Sequence, residues 1–95
     1  MVNSKTYYFY VIYTADSYFY GGFTDNVAKR FKTHQAKKGA KFTRVNARHP
    51  LSLIYSEAFE SKKLALQAEY AFKHLKRSQK EKFLKEKGVS ELIWQ

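Results

Sequence analysis

The feature that most constrains this fold is an unbroken run of aromatic and β-branched residues near the start of the chain. The run is Tyr7-Tyr8-Phe9-Tyr10-Val11-Ile12-Tyr13. Residues of these types favour a pleated strand, and here they are large at every position and not at alternate ones. Both faces of such a strand need cover from other parts of the protein. The run therefore predicts a central strand.

A second aromatic segment, residues 18–23, follows after a short polar turn centred on Asp16. Two strands this close in sequence are expected to pair as an antiparallel hairpin. If the pairing is centred on Asp16, Tyr10 lies opposite Gly22 or Tyr20, and the two tyrosines point to the same face. A shift of one residue would put them on opposite faces.

The next segment has the spacing of a helix. Val27 and Phe31 mark the buried side of a predicted first helix over residues 27–38, which Gly39 is expected to stop. Residues 39–50 are basic and almost without apolar side chains, so we expect a loop there.

The second half predicts one strand and two helices. Residues 51–56 form the expected third strand. A second helix is predicted from a cap at Ser61 to near Arg77. A third is predicted from a capping box at residues 78–81 to Gly88. In that strand we expect three side chains on one face: Leu51, Leu53 and Tyr55. The predicted order is β-β-α-β-α-α, and the length of residues 1–95 suits a single domain with one modest core.

The charge of the chain indicates a polyanionic partner. Eighteen Lys and Arg against eight Asp and Glu give a formal net charge of +10. Such a charge attracts nucleic acid regardless of sequence, and it attracts acidic membrane surfaces as well. Nucleic acid is the leading interpretation, and a basic surface that serves only solubility is the alternative.

Several absences narrow the function. The chain has no cysteine, which excludes disulfides, thiolate metal sites and a cysteine nucleophile, and its three histidines do not have the spacing of a zinc site. There is no glycine-rich nucleotide loop, so we expect no nucleotide cofactor. No run of residues has the apolar length of a signal peptide or a membrane span, so we expect a cytoplasmic protein without a membrane partner.

Two tyrosines, an arginine and a histidine are candidates for phosphate chemistry, although each also has a structural interpretation. Tyr10 and Tyr20 resemble core residues of a strand, and a phenol needs nearby positive charge to lower its pKa from about 10 before it acts as a base. Arg30 can supply that charge, and its planar fork matches phosphate oxygens, or it is a solvated helix cation. His34, one turn later, is a proton shuttle, a phosphate ligand or a structural histidine.

Glu69 is the candidate cation ligand. One carboxylate with waters and phosphate oxygens is a common way to hold magnesium. The alternative is an ion pair with Lys73, four residues later on the same helix. The residues alone favour the ion pair by roughly two to one, because isolated acidic residues on helices commonly form such pairs.

In order and spacing, these residues resemble the GIY-YIG nuclease superfamily, in particular its short stand-alone bacterial members. Its two name-giving motifs are present in part as Tyr8-Phe9-Tyr10 and Tyr20-Gly21-Gly22. The second tyrosine lies ten residues after the first, and Arg30 ten residues further on. The whole set that carries the resemblance is, in chain order, Tyr10, Tyr20, Arg30, His34, the loop 38–44, Glu69 and Lys73.

The resemblance implies an α+β fold, with a small three-stranded antiparallel sheet flanked by helices and a one-metal phosphodiesterase site on the sheet face. It implies that Tyr10 is the general base or its relay, that Tyr20 orients water or phosphate, and that Arg30 stabilises the transition state. It also implies that Glu69 holds one divalent cation, Mg²⁺ or Mn²⁺. His34 would assist in catalysis. The nucleic-acid contacts would be Lys38, Lys41, Arg44 and Lys73.

The chain departs from the family pattern at several positions. Tyr8 stands where the first motif has glycine, Gly21 is the middle residue of the second motif, and Phe23 stands where repair nucleases tend to have lysine. Homing-type members have a late asparagine, and this chain has none after Asn46. We see no appended DNA-targeting domain. These departures suggest activity that is weak, that depends on DNA structure, or that depends on a partner subunit for targeting.

Three hypotheses follow. The first is a metal-dependent endonuclease that acts on DNA, as in repair, and selects a shape, a branch or an end, because no helix looks like a dedicated major-groove reader. The second is a catalytically weak or inactive nucleic-acid-binding module on the same fold. The third is an RNA-associated or purely structural basic domain.

Overall fold

The computed structural model describes residues 5–95. The order of helices and strands is the predicted β-β-α-β-α-α. The strands and α-helices are β1 (Tyr7–Tyr13), β2 (Phe19–Thr24), α1 (Val27–Gln35), β3 (Ser52–Phe59), α2 (Lys62–Lys73) and α3 (Arg77–Glu86). Among the described residues, no helix combines the length and the apolar content that crossing a bilayer requires.

The three strands form one antiparallel sheet with β1 in the middle, so the prediction of a central strand is confirmed. The β1–β2 hairpin pairs Tyr10 with Gly22 and Ile12 with Tyr20. Directly opposed residues share a face, and alternate residues of a strand share a face. Tyr10 and Tyr20 therefore point to the same side of the sheet, in the register centred on Asp16.

Each face of β1 is covered, as its sequence requires. On one face, Phe9 and Val11 pack with Phe72 of α2 and Leu84 of α3. Phe9 and Phe72 lie with ring centroids 5.4 Å apart. Burying an apolar side chain of this size contributes about 1.5–3 kcal/mol to folding, so this layer holds α2 and α3 in place.

The other face of β1 carries a smaller cluster. Tyr10, Ile12 and Leu51 are buried there, and Val27 and Phe31 of α1 pack against them. The helical spacing of Val27 and Phe31 thus correctly identified the side of α1 that faces the sheet. This packing places the polar residues of α1 next to the tyrosines of the hairpin.

The third strand contains an irregularity that the sequence pattern did not predict. Leu53 lies opposite Ile12, whereas Tyr55 lies opposite Val11, so Ile54 is an extra residue without a partner. Such a β-bulge changes which face the following side chains point to. The prediction that Leu51, Leu53 and Tyr55 share one face is therefore wrong, since Tyr55 packs on the core of α2 and α3.

The helix ends also differ from the predictions. The first helix ends at Gln35 and the second at Lys73, both earlier than expected. The third begins at Arg77, because the Gln79 side chain accepts a hydrogen bond of 2.8 Å from the Lys76 N–H. The capping box predicted at residues 78–81 is wrong, since Glu81 pairs with Arg77 instead.

The basic segment 39–50 is ordered and contains two short 3-10 helices, Lys41–Arg44 and Asn46–Arg48. Arg48 anchors it to the hairpin turn through a 3.0 Å ion pair with Asp16. The Arg48 guanidinium also lies 3.9 Å from the centroid of the Phe42 ring. One of the basic side chains of this segment is thus half-buried and structural.

Candidate active site

Tyr10 and Tyr20 form the floor of the candidate site on the face that α1 crosses. Tyr10 is 2% exposed, and Tyr20 is half-buried. The Tyr10 ring lies over Gly22 on the neighbouring strand, where a Cβ atom would come within 2.5 Å of the Tyr10 Cζ. The second motif thus needs glycine at position 22 because the Tyr10 ring occupies the space of a side chain.

His34 connects Tyr10 to the loop that follows α1. Its Nε2 lies 2.8 Å from the Tyr10 hydroxyl, and its Nδ1 lies 2.6 Å from Thr43 Oγ1. The His34 side chain is fully buried. Burial, together with the nearby positive charge of Arg30, lowers the pKa of His34 to about 4. The imidazole is therefore neutral at pH 7 and can still accept a proton.

Arg30 and Glu69 act on both phenols. Burial raises the pKa of Tyr10 to about 12, the Arg30 guanidinium offsets part of that rise, and the charges of Tyr20 and Glu69 add to it. The pKa of Tyr20 is raised by burial and by Glu69 and lowered by Arg30. An electrostatic effect of this kind requires proximity in a partly desolvated site. The structure thus brings Tyr10, Tyr20, Arg30 and Glu69 together.

Glu69 lies on the side of α2 that borders β2. Its side chain is 17% exposed, and one carboxylate oxygen lies 3.6 Å from the Lys73 ammonium. The i,i+4 ion pair considered from the sequence is therefore present. Among residues 5–95, no group of three or more acidic or imidazole side chains could hold a metal ion. A single carboxylate suits Mg²⁺, which keeps several waters, better than Ca²⁺, which takes six to eight oxygen ligands.

The predicted nucleic-acid contacts lie on two sides of Tyr20. Lys38, Lys41 and Arg44 are exposed on the loop after α1, and Lys73 is exposed on α2. The Tyr20 ring stacks on Phe42 of the loop with a centroid distance of 5.6 Å, and the Lys73 ammonium lies 5.8 Å from its centroid. The basic loop thus reaches Tyr20 through Phe42, and the Lys73 ammonium of α2 also lies close to its ring.

Three residues on or next to His34 were not among the predicted site residues. Thr43 bonds its imidazole, His49 bonds the Thr43 carbonyl at 2.7 Å, and Gly39 packs against its ring. Gly39 was expected to stop α1. The helix ends at Gln35 instead, and the residue with a left-handed backbone after it is Lys37, at φ 62°. Gly39 and Thr43 had a sequence signal only through their position in the loop 38–44 that carries the family resemblance, and His49 lies outside that loop.

The GIY-YIG catalytic domain family matches residues 6–82 of the chain. The chain belongs to this family. The matched region includes every candidate residue of the site, from Tyr10 to Lys73. GIY-YIG is a nuclease family whose members generally depend on a metal ion, and it implies a nucleic-acid substrate.

Bacterial relatives are similar to this chain along almost its whole length. A UPF0213 protein from Limosilactobacillus reuteri is 65% identical over 86 residues, which is 90% of each chain. The UPF0213 protein YazA from Bacillus subtilis is 44% identical over 89 residues, covering 94% of this chain and 88% of its own.

Two solved structures of GIY-YIG-like folds support the architecture. The solution NMR structure of a UPF0213 protein from Bacillus halodurans is similar with a TM-score of 0.59 at 38% identity, covering 87% of this chain and 86% of its own. The solution NMR structure of a protein from E. faecalis has a TM-score of 0.60 at 46% identity, with 90% and 88% covered. The predicted family and fold are therefore confirmed.

Proposed function

We propose that this GIY-YIG chain is a metal-dependent endonuclease that hydrolyses phosphodiester bonds of DNA and selects DNA structure over sequence. The observation that carries the proposal is the convergence of four groups. Tyr10 and Tyr20 share one sheet face, and the charges of Arg30 and Glu69 act on both phenols. Nucleophile activation and charge neutralisation, which phosphodiester hydrolysis requires, are both available in such a group.

Arg30 would stabilise the transition state. A phosphoryl transition state gathers negative charge on its non-bridging oxygens, and a guanidinium binds two such oxygens in a fixed plane. Arg30 is half-buried on α1 and lies near the phenols, so its charge is screened less than that of a surface arginine. Tyr20, half-buried beside it, would orient the attacking water or a phosphate oxygen.

Tyr10 would act as a proton relay. With a pKa raised to about 12 by burial, its phenol stays protonated at neutral pH, so it takes a proton from water while it gives its own to His34. The water oxygen bonds to phosphorus and the bond from phosphorus to the leaving strand breaks. The leaving oxygen takes a proton from solvent, and His34 later returns its proton through Tyr10.

Glu69 would hold the divalent cation, Mg²⁺ or Mn²⁺. When bound, such an ion neutralises phosphate charge and stabilises the leaving oxygen. The carboxylate is mostly buried, and the Lys73 ammonium lies 3.6 Å from one of its oxygens. We propose that the Lys73 ammonium then pairs with a DNA phosphate, because it extends over the Tyr20 ring toward the site.

DNA binding would rest on the basic groups around Tyr20. Lys38, Lys41 and Arg44 on one side and Lys73 on the other are exposed and contact the phosphate backbone in this proposal. Contacts to phosphates position DNA without reading its sequence. We therefore propose selection of branches or ends, as in DNA repair in the bacterial cytoplasm.

We also propose that the chain acts as a single domain and that a protein partner targets it to its substrate. One sheet carries both hydrophobic clusters of the described residues. The cations are spread over a small surface, which supplies affinity without specificity. A partner subunit would add the specificity.

A cleavage assay tests the proposed function. Branched, single-stranded and linear duplex DNA are incubated with Mg²⁺ or Mn²⁺ and with the parent protein, Glu69→Ala or Arg30→Ala. Exposed residues of the same charge serve as controls, Glu86→Ala for the carboxylate and Lys29→Ala for the cation. We expect metal-dependent cutting of branched DNA that both site variants lose by about 10²-fold or more and both controls keep.

The second candidate function is a nucleic-acid-binding module that does not cut. The observation that favours it is the Glu69 to Lys73 ion pair, in which an ammonium occupies the neighbourhood of the cation ligand. Salt-sensitive binding without metal-dependent cutting would support this module and contradict the nuclease. No binding to nucleic acid at low salt would contradict both.

A further inference from the structure

Thr43 is a fully buried polar residue in the 3-10 helix Lys41–Arg44. Its hydroxyl has two neighbours. Oγ1 donates to the Ala40 carbonyl oxygen at 3.0 Å, and it lies 2.6 Å from His34 Nδ1. A hydroxyl has one hydrogen to donate and two lone pairs to accept with, so the two contacts must differ in direction.

The direction of the second hydrogen bond follows from the first. The Ala40 carbonyl can only accept, so the single hydrogen of the Thr43 hydroxyl points to it. Toward His34 the hydroxyl therefore offers a lone pair, and Nδ1 must carry the hydrogen. A neutral imidazole has only one N–H.

The other ring nitrogen is then an acceptor. With the hydrogen on Nδ1, Nε2 has a lone pair, and the Tyr10 hydroxyl lies 2.8 Å from it. Tyr10 therefore donates to His34. The opposite tautomer would make Nε2 a donor, and the Tyr10 proton would have no acceptor in the imidazole.

The loop holds Thr43 and the imidazole in fixed positions. The Thr43 carbonyl accepts a hydrogen bond of 2.7 Å from His49 Nε2. Gly39 lies against the ring, where a Cβ atom would come within 2.6 Å of Nδ1. The Gly39 carbonyl oxygen accepts a hydrogen bond of 3.0 Å from Arg44 Nε. An imidazole held on both nitrogens and against its face has little freedom to rotate or to change tautomer.

We propose that Thr43 is a positioning residue that keeps the proton of His34 on Nδ1 and so leaves Nε2 ready to receive the proton of Tyr10. Its catalytic consequence rests on the proposed function, whereas the tautomer itself does not. As water attacks phosphorus, its proton moves to the Tyr10 oxygen and the Tyr10 proton moves to Nε2. The resulting imidazolium donates from both nitrogens, and Thr43 still accepts from Nδ1.

The tautomer is measured first, on the DNA-free protein labelled with ¹⁵N in its imidazoles. Long-range ¹H–¹⁵N spectra give separate shifts for an N–H nitrogen and for a nitrogen with a lone pair. We expect His34 of the parent protein at pH 7 to have its hydrogen on Nδ1. A hydrogen on Nε2 in the parent protein overturns the proposal whether or not the protein cuts DNA, so this result is separate from a failure of the proposed function.

Two variants test the role of the hydroxyl. Thr43→Val keeps the shape and removes the acceptor, and Thr43→Ser keeps the hydroxyl. We expect Thr43→Val to lose the preference for the Nδ1–H form and to lower kcat by about 10²-fold, the usual contribution of acid–base catalysis, with an unchanged KM. Thr43→Ser should restore both the tautomer and kcat.

The pattern across the variants separates positioning from a general loss of structure. A Thr43→Val protein with the parent tautomer and the parent kcat overturns the proposal, as does a loss that Thr43→Ser shares equally. A raised KM with unchanged kcat would assign Thr43 to DNA binding and also overturn it. If Thr43→Val does not fold, the tautomer of the parent and of Thr43→Ser still decides the question.

Discussion

Gly22→Ala adds one methyl group and should displace the Tyr10 ring from its position in the site. Gly22 lies opposite Tyr10 in the hairpin, and a Cβ atom there would come within 2.5 Å of the Tyr10 Cζ. Neither Gly21 nor Gly22 has a positive φ, so alanine fits the backbone at both positions. The effect of the substitution is therefore steric and falls on the Tyr10 ring.

The size of the effect follows from the distance. Carbon atoms in contact lie about 3.5–4.0 Å apart, so the Tyr10 ring has to move by about 1 Å or more. Its hydroxyl then leaves the 2.8 Å hydrogen bond to His34. A misplacement of 1 Å in an active site can cost about 10²-fold in rate. Forcing a methyl group into a packed region also costs about 1–3 kcal/mol of stability.

The neighbouring glycine is a matched control. Gly21 points to the opposite face, where a Cβ atom would lie 3.0 Å from Phe72 Cδ2 and 3.3 Å from Phe9 Cε1. Gly21→Ala should therefore destabilise the fold through the core of α2 and α3 without touching Tyr10. A loss of 1 kcal/mol lowers the melting temperature of a domain of this size by about 4–8 °C.

The assay measures cleavage of branched DNA at a temperature where circular dichroism shows both variants to be folded. We expect Gly22→Ala to lose about 10²-fold in kcat and Gly21→Ala to keep most of the parent kcat. Equal losses in the two variants would refute the steric account, and so would a Gly22→Ala protein with parent activity.

Two further predictions concern charge. Because the folded-state pKa of His34 is lowered to about 4 from its ordinary 6.5, the unfolded chain takes up this proton first as the pH falls. The stability due to the neutral imidazole should thus be present above pH 6.5 and be lost as the pH falls to about 4. In a plot of the urea midpoint against pH, His34→Gln should lack the decrease between these two pH values. Identical plots for the parent protein and His34→Gln would contradict the lowered pKa. Lys41→Ala should reduce the slope of log affinity against log salt by about 0.9 in fluorescence anisotropy with DNA, because one phosphate contact is lost. Lys82→Ala on α3 is its control, and equal slopes for both variants would contradict a specific contact of Lys41.

Local patterns predicted the parts of the fold that depend on short-range physics. The run of β1 needed cover on both faces, and the register centred on Asp16 brought Tyr10 and Tyr20 to one face, as observed. The Ser61 cap of α2 is present as well, with its hydroxyl accepting from the Leu64 N–H at 3.2 Å. Such features involve neighbours in sequence or directly paired residues.

Tertiary contacts decided the features that the sequence pattern missed. The bulge at Ile54 depends on how β3 meets the packed faces of β1, and alternation within the strand alone contains no signal for it. Thr43 looks like one polar residue in a basic loop until the fold brings it to His34. Arg48 carries the same charge as its exposed neighbours, yet it pairs with Asp16 across the hairpin turn.

The roles of the site residues remain predictions, and Tyr10→Phe tests them most directly. The substitution removes one oxygen, the atom that bonds His34 and feels the charges of Arg30 and Glu69. In single-turnover reactions with Mg²⁺ and branched DNA, we expect Tyr10→Phe to bind DNA with the parent affinity and to lose about 10²-fold or more in cleavage rate. A folded Tyr10→Phe protein that cuts at the parent rate would contradict the account.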